Sequence, residues 1–446
     1  MTSRYLWRRA AFAFALFTGF AASPARAKDA ALAGIDGIYP ELDALYLDLH
    51  QNPELSGHEE KTAAKLTDRL RRLGYEVTTG VGGHGIVALM RNGNGPTVML
   101  RADMDALPIQ EKTELPYASK ITAPGPTGTL VPVMHACGHD VHMSSLIGAA
   151  TLLARMKDRW RGTLMLIGQP AEETLSGAEA MIKDGLFTRF PKPAYAVAIH
   201  DTNLLPAGTV GYTPGFTLSN LNTVSITIYG RGGHGAYPQR SIDPIVIAAR
   251  TILALQTIVA REKNPLDPAV VTVGSIQGGT KANIIPDDVT MLLTVRSYKE
   301  EVRKRLLSAI ERIAKAEAAS ANAPQEPTIK ILESAAATYN DPGLTTRLVK
   351  VLSAGLGQSN IRERPPEMGS EDFSLYGQSG IPAVFLWLGA VEPKKFEQAN
   401  ASGATLPGPH SSLFAPEREP TIRTGVSVLT LSALDLLGKD NARTSR

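Results

Sequence analysis

Cysteine is nearly absent from this sequence, in which Cys137 is the only one among 446 residues. A lone thiol cannot form an internal disulfide bond, so that structural explanation is excluded. Cys137 lies in the stretch MHACGHD, residues 134–140, two positions before a histidine. The interpretations that remain are a packed thiol, a nucleophile and a metal ligand. Carboxylate and histidine sites further along the chain favour the metal ligand.

The sequence also lacks an excess of charge of either sign. Lysine and arginine total 46, against 43 acidic residues. Residues 1–27 contain four arginines and no acidic residue, and without them 42 basic residues stand against 43 acidic ones. A nearly neutral chain gives no reason to expect a nucleic-acid partner.

Long apolar runs are missing as well. The apolar residues 10–22 follow three arginines, but they fall short of the ~20 residues that a membrane-spanning helix needs. Residues 23–27, SPARA, have the small-x-small pattern of a cleavage site. We therefore predict a cleavable signal peptide over 1–27, with cleavage near Ala27, and export, most simply to a bacterial periplasm. No other segment is expected to span a membrane.

Strand-like and helical patterns alternate along much of the chain. Short apolar runs at 85–90, 97–100, 163–168, 194–199 and 383–388 are typical of strands. Helical stretches separate several of them, notably 143–156 and 176–186. This alternation predicts an α/β domain with a mostly parallel sheet.

The pattern changes between residues 217 and 332. There it reads strand, helix, strand, strand and helix, with a closing strand at 329–332, which is the order of a ferredoxin-like βαββαβ unit. We predict that this unit is inserted into the larger domain. The predicted division is a signal peptide over 1–27, a first catalytic part over 28–216, the inserted domain over 217–332 and a second catalytic part over 333–446.

Candidate metal-binding side chains follow several predicted strands, and open α/β sheets collect functional groups at the carboxyl ends of their strands. In chain order the candidates are Asp103, Asp105, Cys137, His139, Glu172, Glu173, His200 and His410. Thiolate, imidazole and carboxylate together are the ligand set of zinc or a similar transition ion. Asp103 is left out of the metal set, because it could equally end its strand.

The adjacent carboxylates Glu172 and Glu173 indicate a division of labour. One would hold the metal, while the other moves a proton between water and the leaving group. Asp105 would orient a ligand imidazole. Asp140 has an ordinary explanation as the N-cap of a helix that is predicted to begin near Met143.

The ordered motifs resemble those of the dinuclear-metal amidohydrolases of the aminoacylase/carboxypeptidase superfamily, in the branch of hippurate hydrolases and auxin-conjugate hydrolases. The matching stretches span most of the chain after residue 27. They are 49–56 (LHQNPELS), 101–108 (RADMDALP), 134–140 (MHACGHD), 169–173 (QPAEE), 232–236 (GGHGA), 283–287 (NIIPD), 368–373 (MGSEDF) and His410.

This resemblance implies a metal centre with two divalent ions per subunit. Its ligands would be Cys137, His139, Glu173, His200 and His410, with Cys137 bridging the ions. Glu172 would be the general base and then the general acid. Zinc or manganese is expected, and nickel or cobalt also fits these ligand types.

The resemblance also implies substrate contacts from the inserted domain. His234 would act near the substrate carbonyl in the neighbouring subunit of a homodimer. Asn283 and Arg296 would contact the substrate, with Arg296 as a clamp for its free carboxylate. The inserted domain would serve as both lid and dimerisation surface.

Together these residues predict hydrolysis of the amide bond of N-acyl amino acids or related small amides by metal-activated water. Two alternatives stay open: a dipeptidase or carboxypeptidase of the same superfamily, and a periplasmic binding protein that has lost turnover. The G-x-S-x-G pattern is absent, so a serine hydrolase is not expected.

Overall fold

The computed structural model describes residues 31–125 and 127–438, and the predicted signal peptide lies outside them. The strands are β1 (Glu76–Val81), β2 (Gly85–Asn92), β3 (Thr97–Asp103), β4 (Thr122–Pro124), β5 (Leu130–Pro132), β6 (Gly162–Gln169), β7 (Tyr195–Pro206), β8 (Val210–Tyr212), β9 (Gly215–Leu218), β10 (Asn220–Tyr229), β11 (Gly233–His234), β12 (Ala269–Gln277), β13 (Ile284–Ile285), β14 (Asp288–Ser297), β15 (Thr328–Ala335), β16 (Thr338–Asn340), β17 (Ile361–Glu363) and β18 (Ala383–Val391). The α-helices are α1 (Ile35–Gln51), α2 (Glu60–Arg72), α3 (His139–Arg155), α4 (Gly177–Lys183), α5 (Leu186–Arg189), α6 (Pro244–Thr257), α7 (Glu300–Ser320), α8 (Pro342–Leu356), α9 (Ser374–Gln378), α10 (Pro393–Ser402) and α11 (Arg418–Leu436).

An eight-stranded sheet in the order β1-β2-β6-β3-β7-β18-β8-β17 forms the larger part of the fold. Its central strands β6, β3, β7 and β18 pair in parallel. They are nearly continuous apolar runs, because helices cover both faces of the sheet. One apolar core lies between the sheet and α1, α2, α3, α8 and α11, and a second lies under α4 and α9. The predicted α/β class with a mostly parallel sheet is confirmed.

A four-stranded antiparallel sheet in the order β12-β14-β10-β15 forms the smaller part. The helices α6 and α7 pack on one of its faces and enclose a separate apolar core. In chain order the elements run strand, helix, strand, strand, helix, strand, as the sequence predicts. We call the elements from β10 to β15 the small unit, and the eight-stranded sheet with its covering helices the large unit. The exact domain boundaries stay a prediction.

The helical stretch Pro244–Glu262 of the small unit is long and apolar enough to cross a membrane by length and composition alone. The expectation that no segment after the leader spans a membrane stays a prediction, since this measure uses length and composition only. Ile247, Thr251 and Leu255 along one side of the stretch are buried against the sheet. Ile245, Val246 and Leu253 on the rest of the stretch are exposed, so core packing accounts for the apolar composition of one side only.

Candidate active site

The turn before α3 places Cys137 and His139 at the carboxyl edge of the large sheet. The helix begins at His139, four residues earlier than predicted, and its N-cap is Gly138 with φ 70°. A Cβ at Gly138 would lie 2.1 Å from Oδ2 of Asp201. Glycine is therefore required by both the left-handed backbone and the close approach.

His200 lies inside β7 and not after its end, which corrects the prediction. The strand continues to Pro206 because it stays paired with β18. Its other neighbour, β3, pairs only as far as Arg101 with Ala198. Beyond that point one edge of β7 is free, and this gap is where the site lies.

The five predicted metal ligands converge in the gap. Two groups of three have ligand atoms that all lie within 4.8 Å of one another: Cys137 with His139 and His200, and Cys137 with Glu173 and His410. Cys137 belongs to both groups, as a bridging thiolate would. Sγ of Cys137 lies 3.3 Å from Nε2 of His200, and Nε2 of His410 lies 3.1 Å from Oε2 of Glu173.

Backbone carbonyls fix the tautomers of two of these imidazoles. Nδ1 of His139 donates to the carbonyl oxygen of Asp105 at 2.7 Å, and Nδ1 of His200 donates to the carbonyl oxygen of Asp201 at 2.8 Å. A carbonyl only accepts, so Nδ1 must carry the proton and Nε2 presents its lone pair to the gap. Asp105 thus orients His139 through its backbone, and its carboxylate lies 3.4 Å from the same nitrogen.

The ligand set fits metal ions on two observations. Nε2 of His139 and Oε1 of Glu173 are buried and have no hydrogen-bond partner within the described residues. Burial and the charges of Glu173 and Glu172 raise the pKa of the Cys137 thiol well above its ordinary value. Buried acceptors and a thiol among carboxylates lack positive charge, and divalent cations would supply it.

Glu172 lies beside these ligands, with Oε2 4.0 Å from Nε2 of His139. Burial raises the pKa of Glu172 well above its ordinary value, and the charges of Glu371, Glu173 and Asp372 add to the rise. Bound cations would oppose the increase. A carboxyl group in this environment can hold a proton as well as release one.

A buried ion cluster behind Glu172 was missed by sequence reasoning. Arg101 is fully buried and donates to Asp103 at 2.8 Å, to Glu371 at 2.8 Å and to Asp372 at 3.1 Å. It thereby ties the end of β3 to the C-terminal stretch 368–373. The placement of Arg101 directly after an apolar strand was the available signal.

Histidine and carboxylate side chains also form buried pairs next to the proposed ligands. His142 contacts Asp103 at 2.6 Å and accepts from the backbone N–H of Asp201 at 3.0 Å. Asp140 is not the helix N-cap that was predicted, because α3 already starts at His139. The Asp140 carboxylate instead contacts Nδ1 of His50 at 2.7 Å.

The predicted substrate residues are divided between two places. Arg296 lines a cavity of about 470 Å³ together with Cys137, Glu172, Glu173, His200 and His410. Its Nη1 donates to the carbonyl oxygen of Met368 at 2.6 Å, across the junction of the two units. His234 and Asn283 do not line this cavity. They are exposed and lie close together on the two-stranded β11–β13 pair, where the N–H of Gly235 donates to the carbonyl of Asn283 at 2.9 Å.

This fold and this cluster of ligands, of which His410 is exposed and the others are buried or half-buried, define a metal-dependent hydrolase. Residues 99–404 match the model of peptidase family M20/M25/M40, and the chain belongs to that family. It is 37% identical over 396 residues to thermostable carboxypeptidase 2 of Saccharolobus solfataricus, covering 88% of this chain and 94% of that protein. It is also 38% identical over 344 residues to IAA-amino acid hydrolase ILR1-like 2 of Arabidopsis thaliana, covering 76% of this chain and 75% of that protein.

A solved structure supports the same assignment. The Bacillus subtilis YXEP protein, described as a dinuclear metal binding peptidase of the M20 family, superposes with a TM-score of 0.74 at 29% identity. The superposition covers 90% of this chain and 99% of that one. The predicted family, fold class and metallo-hydrolase activity are therefore confirmed, while the identity of the ions and the roles of individual residues stay predictions.

Proposed function

We propose that this protein hydrolyses the amide bond of N-acyl amino acids or related small amides, with water as the nucleophile. The observation that carries the proposal is the position of Glu172, buried beside the ligand cluster and lining the cavity that also contains Arg296. A proton-transferring carboxylate and a cation that can bind a carboxylate thus face one space. An acyl amino acid presents both an amide and a free carboxylate, the two groups that these side chains would meet.

Two divalent ions bound by Cys137, His139, Glu173, His200 and His410 would supply the charge that polarises the water and the amide carbonyl. Glu172 accepts a proton from the attacking water and passes it to the nitrogen of the leaving amine. Asp105 keeps His139 in the tautomer that presents Nε2 to the gap. Arg296 binds the substrate carboxylate and so fixes which amide faces Glu172.

The further features of this proposal rest on the sequence. Zinc or manganese is the expected ion, with nickel or cobalt also suited to cysteine and imidazole ligands. The leader supports export to the periplasm, and the resemblance supports a homodimer in which His234 reaches the neighbouring subunit's substrate. Asn283 would also contact the substrate. A small N-acyl amino acid is the expected partner, with no role for nucleic acid.

A second candidate is peptidase activity on dipeptides or on C-terminal residues. The relative from Saccharolobus solfataricus, called a carboxypeptidase, favours it. The name of the Arabidopsis thaliana relative favours an amino-acid conjugate as substrate. Both reactions use the same proton transfers. The shape and charge around Arg296 must therefore determine which of the two kinds of substrate is hydrolysed.

The test is amine release by residues 28–446, chelated and then reloaded with zinc, manganese, cobalt or nickel. The panel contains hippurate, N-acetyl amino acids, indoleacetyl amino acids and dipeptides. Metal-dependent release from acyl amino acids supports the proposal, and release from dipeptides alone supports the peptidase. Tight metal uptake without release from any substrate contradicts both and supports a binding protein.

The variant Glu172→Gln assigns the proton-transfer role. We expect kcat to fall by about two to four orders of magnitude while metal content stays unchanged, because Glu173 is intact. Glu179→Gln is the matched control, since Glu179 is an exposed residue of α4 that pairs with Lys183. Equal activity of the two variants would contradict the role of Glu172.

A further inference from the structure

The loop that carries Glu172 and Glu173 has a strained backbone. It joins β6 to α4, and two of its non-glycine residues are left-handed: Ala171 with φ 52° and Leu175 with φ 53°. Such conformations are disfavoured for residues with a side chain and persist only where the surroundings enforce them. The contacts that enforce this loop therefore also set the position of Glu172.

Two buried carboxylates hold the backbone on either side of Glu172. The N–H of Ala171 donates to Oε1 of Glu59 at 2.8 Å, and the N–H of Glu173 donates to Oδ2 of Asp105 at 2.9 Å. Neither carboxylate is near its partner in sequence. The residues before and after Glu172 are thus held from outside the loop by charged acceptors, which make stronger hydrogen bonds than neutral ones.

The Glu59 side chain makes this contact instead of capping its own helix. It is the N-cap residue of α2, yet its side chain does not cap the helix. Oε1 accepts from the N–H of Gly57 at 2.8 Å as well as from Ala171, and the residue is fully buried. Ser56, from the same segment, donates to Asp105 at 2.6 Å.

The helix end is instead satisfied by a second glutamate of the same segment. Oε2 of Glu54 accepts from the N–H of Thr62 at 2.7 Å and from its hydroxyl at 2.9 Å. Glu54 and Glu59 therefore perform different tasks within six residues of sequence. One completes α2, and the other contacts the catalytic loop.

We propose that Glu59 is a positioning residue for the general base, because it holds the left-handed turn at Ala171 and so fixes Glu172 in the cavity. The inference rests on the proposed role of Glu172 and extends it to a segment that touches neither the ligands nor the substrate. Asp105 performs the corresponding task on the other side of Glu172, in addition to its contact with His139.

The test compares three variants by kcat and KM at saturating metal. Glu59→Met keeps the volume and removes the acceptor, and we expect kcat to fall by up to about a hundredfold with little change in KM, since a displacement of about 1 Å costs that much. Glu59→Gln keeps an acceptor and should restore most of kcat. Glu54→Met is the matched control and should lower thermal stability while leaving kcat near that of the wild type.

Two further measurements separate positioning from general destabilisation. In the Glu172→Gln background, Glu59→Met should cause no additional loss of kcat, because the remaining rate no longer depends on where residue 172 lies. Amide hydrogen exchange of the peptide that covers 170–177 should rise in Glu59→Met and stay unchanged in Glu54→Met. If Glu59→Met does not fold, Glu59→Asp is used instead in both measurements, because its shorter side chain withdraws the carboxylate from Ala171.

Equal kcat losses for the Glu54 and Glu59 variants, or unchanged exchange in the loop, would overturn the proposal. Failure of the proposed function has a different signature, namely no amide hydrolysis by the wild type with any of the four ions. The exchange measurement would still decide in that case whether Glu59 holds the loop.

Discussion

The large and small units present their functional side chains in opposite ways. In the large unit Cys137, His139 and Glu172 are buried and held by neighbours from several strand ends, and of the proposed ligands only His410 is exposed. In the small unit His234 lies on β11 and Asn283 directly precedes β13, and both are exposed and do not line the cavity. A single chain thus completes the ligand cluster by folding, whereas His234 and Asn283, if they act as predicted, would need a neighbouring subunit or a movement to reach a substrate.

Charge distinguishes the two units as strongly as exposure. The large unit buries the carboxylates of Asp103, Glu172, Glu371 and Asp372 around one arginine, Arg101. The small unit encloses an ordinary apolar core between its sheet and two helices. Bound cations should therefore stabilise the large unit and leave the small one nearly unaffected.

Metal removal should have the largest effect and should act on one unit only. We expect chelation to abolish amide hydrolysis and to lower the free energy of unfolding by about 4 kcal/mol for each ion removed, relative to protein with free ion at about 1000 times Kd. Amide exchange should rise in the stretches 134–142 and 169–177 and stay unchanged in β10 and β14. A uniform rise across both sheets would contradict the comparison.

The variant His234→Ala tests whether the exposed residues act on a neighbouring subunit. We expect kcat/KM to fall by about a hundredfold, as for loss of a transition-state donor, with metal content unchanged because His234 contacts no proposed ligand. Mixing this variant with Glu172→Gln provides the sharper measurement. In a two-fold dimer, random exchange of subunits would restore about a quarter of the sites.

The outcome of mixing is decisive because each variant alone is impaired. Restored activity requires Glu172 from one subunit and His234 from another. A mixture no more active than its components would show that His234 acts within its own subunit or not at all. Two Glu172→Gln samples mixed with each other are the control for concentration.

The sequence predicted the side chains that follow strand ends better than the contacts between distant segments. Glu172 and Glu173 follow within four residues of the end of the apolar strand β6, so their position at the sheet edge follows from local pattern. Glu59 gave no local signal, since its partner Ala171 is 112 residues away and donates through its backbone N–H. His200 was predicted to follow the end of β7. It lies inside that strand, because β7 continues through polar residues that stay paired with β18.

The contacts of His50 with Asp140 and Glu111 should have a smaller effect on stability, which is confined to the large unit and depends on pH. Burial disfavours the imidazolium, but hydrogen bonds and charges of Asp140 and Glu111 outweigh it and raise the pKa of His50 to about 9 from 6.5. The resulting stability is complete below pH 6.5 and is lost as pH rises through 9, because only the folded state keeps the proton in that range. We expect its contribution to be on the order of 2 kcal/mol.

The pH dependence can be measured by unfolding residues 28–446 in denaturant, with tryptophan fluorescence as the signal. Trp160 and Trp387 both belong to the cores of the large unit, so they report on that unit. His50→Gln should be less stable than the wild type at pH 6 and should approach it at pH 10. His58→Gln, a change of an exposed histidine in the next loop, should reproduce the wild-type curve. A constant difference between His50→Gln and wild type at all pH values would contradict the assignment.

Arg296 is the exception to the contrast between the units, since it belongs to the small unit yet lines the cavity. Of the changes considered, its substitution should have the smallest effect. We expect Arg296→Ala to raise KM about tenfold for an N-acyl amino acid, because one charge-assisted contact to the carboxylate is lost. For the corresponding amide, which has no carboxylate, KM should not change. If Arg296 only joins the units through Met368, both substrates should be affected equally. Arg305→Ala, an exposed change on α7, should affect neither.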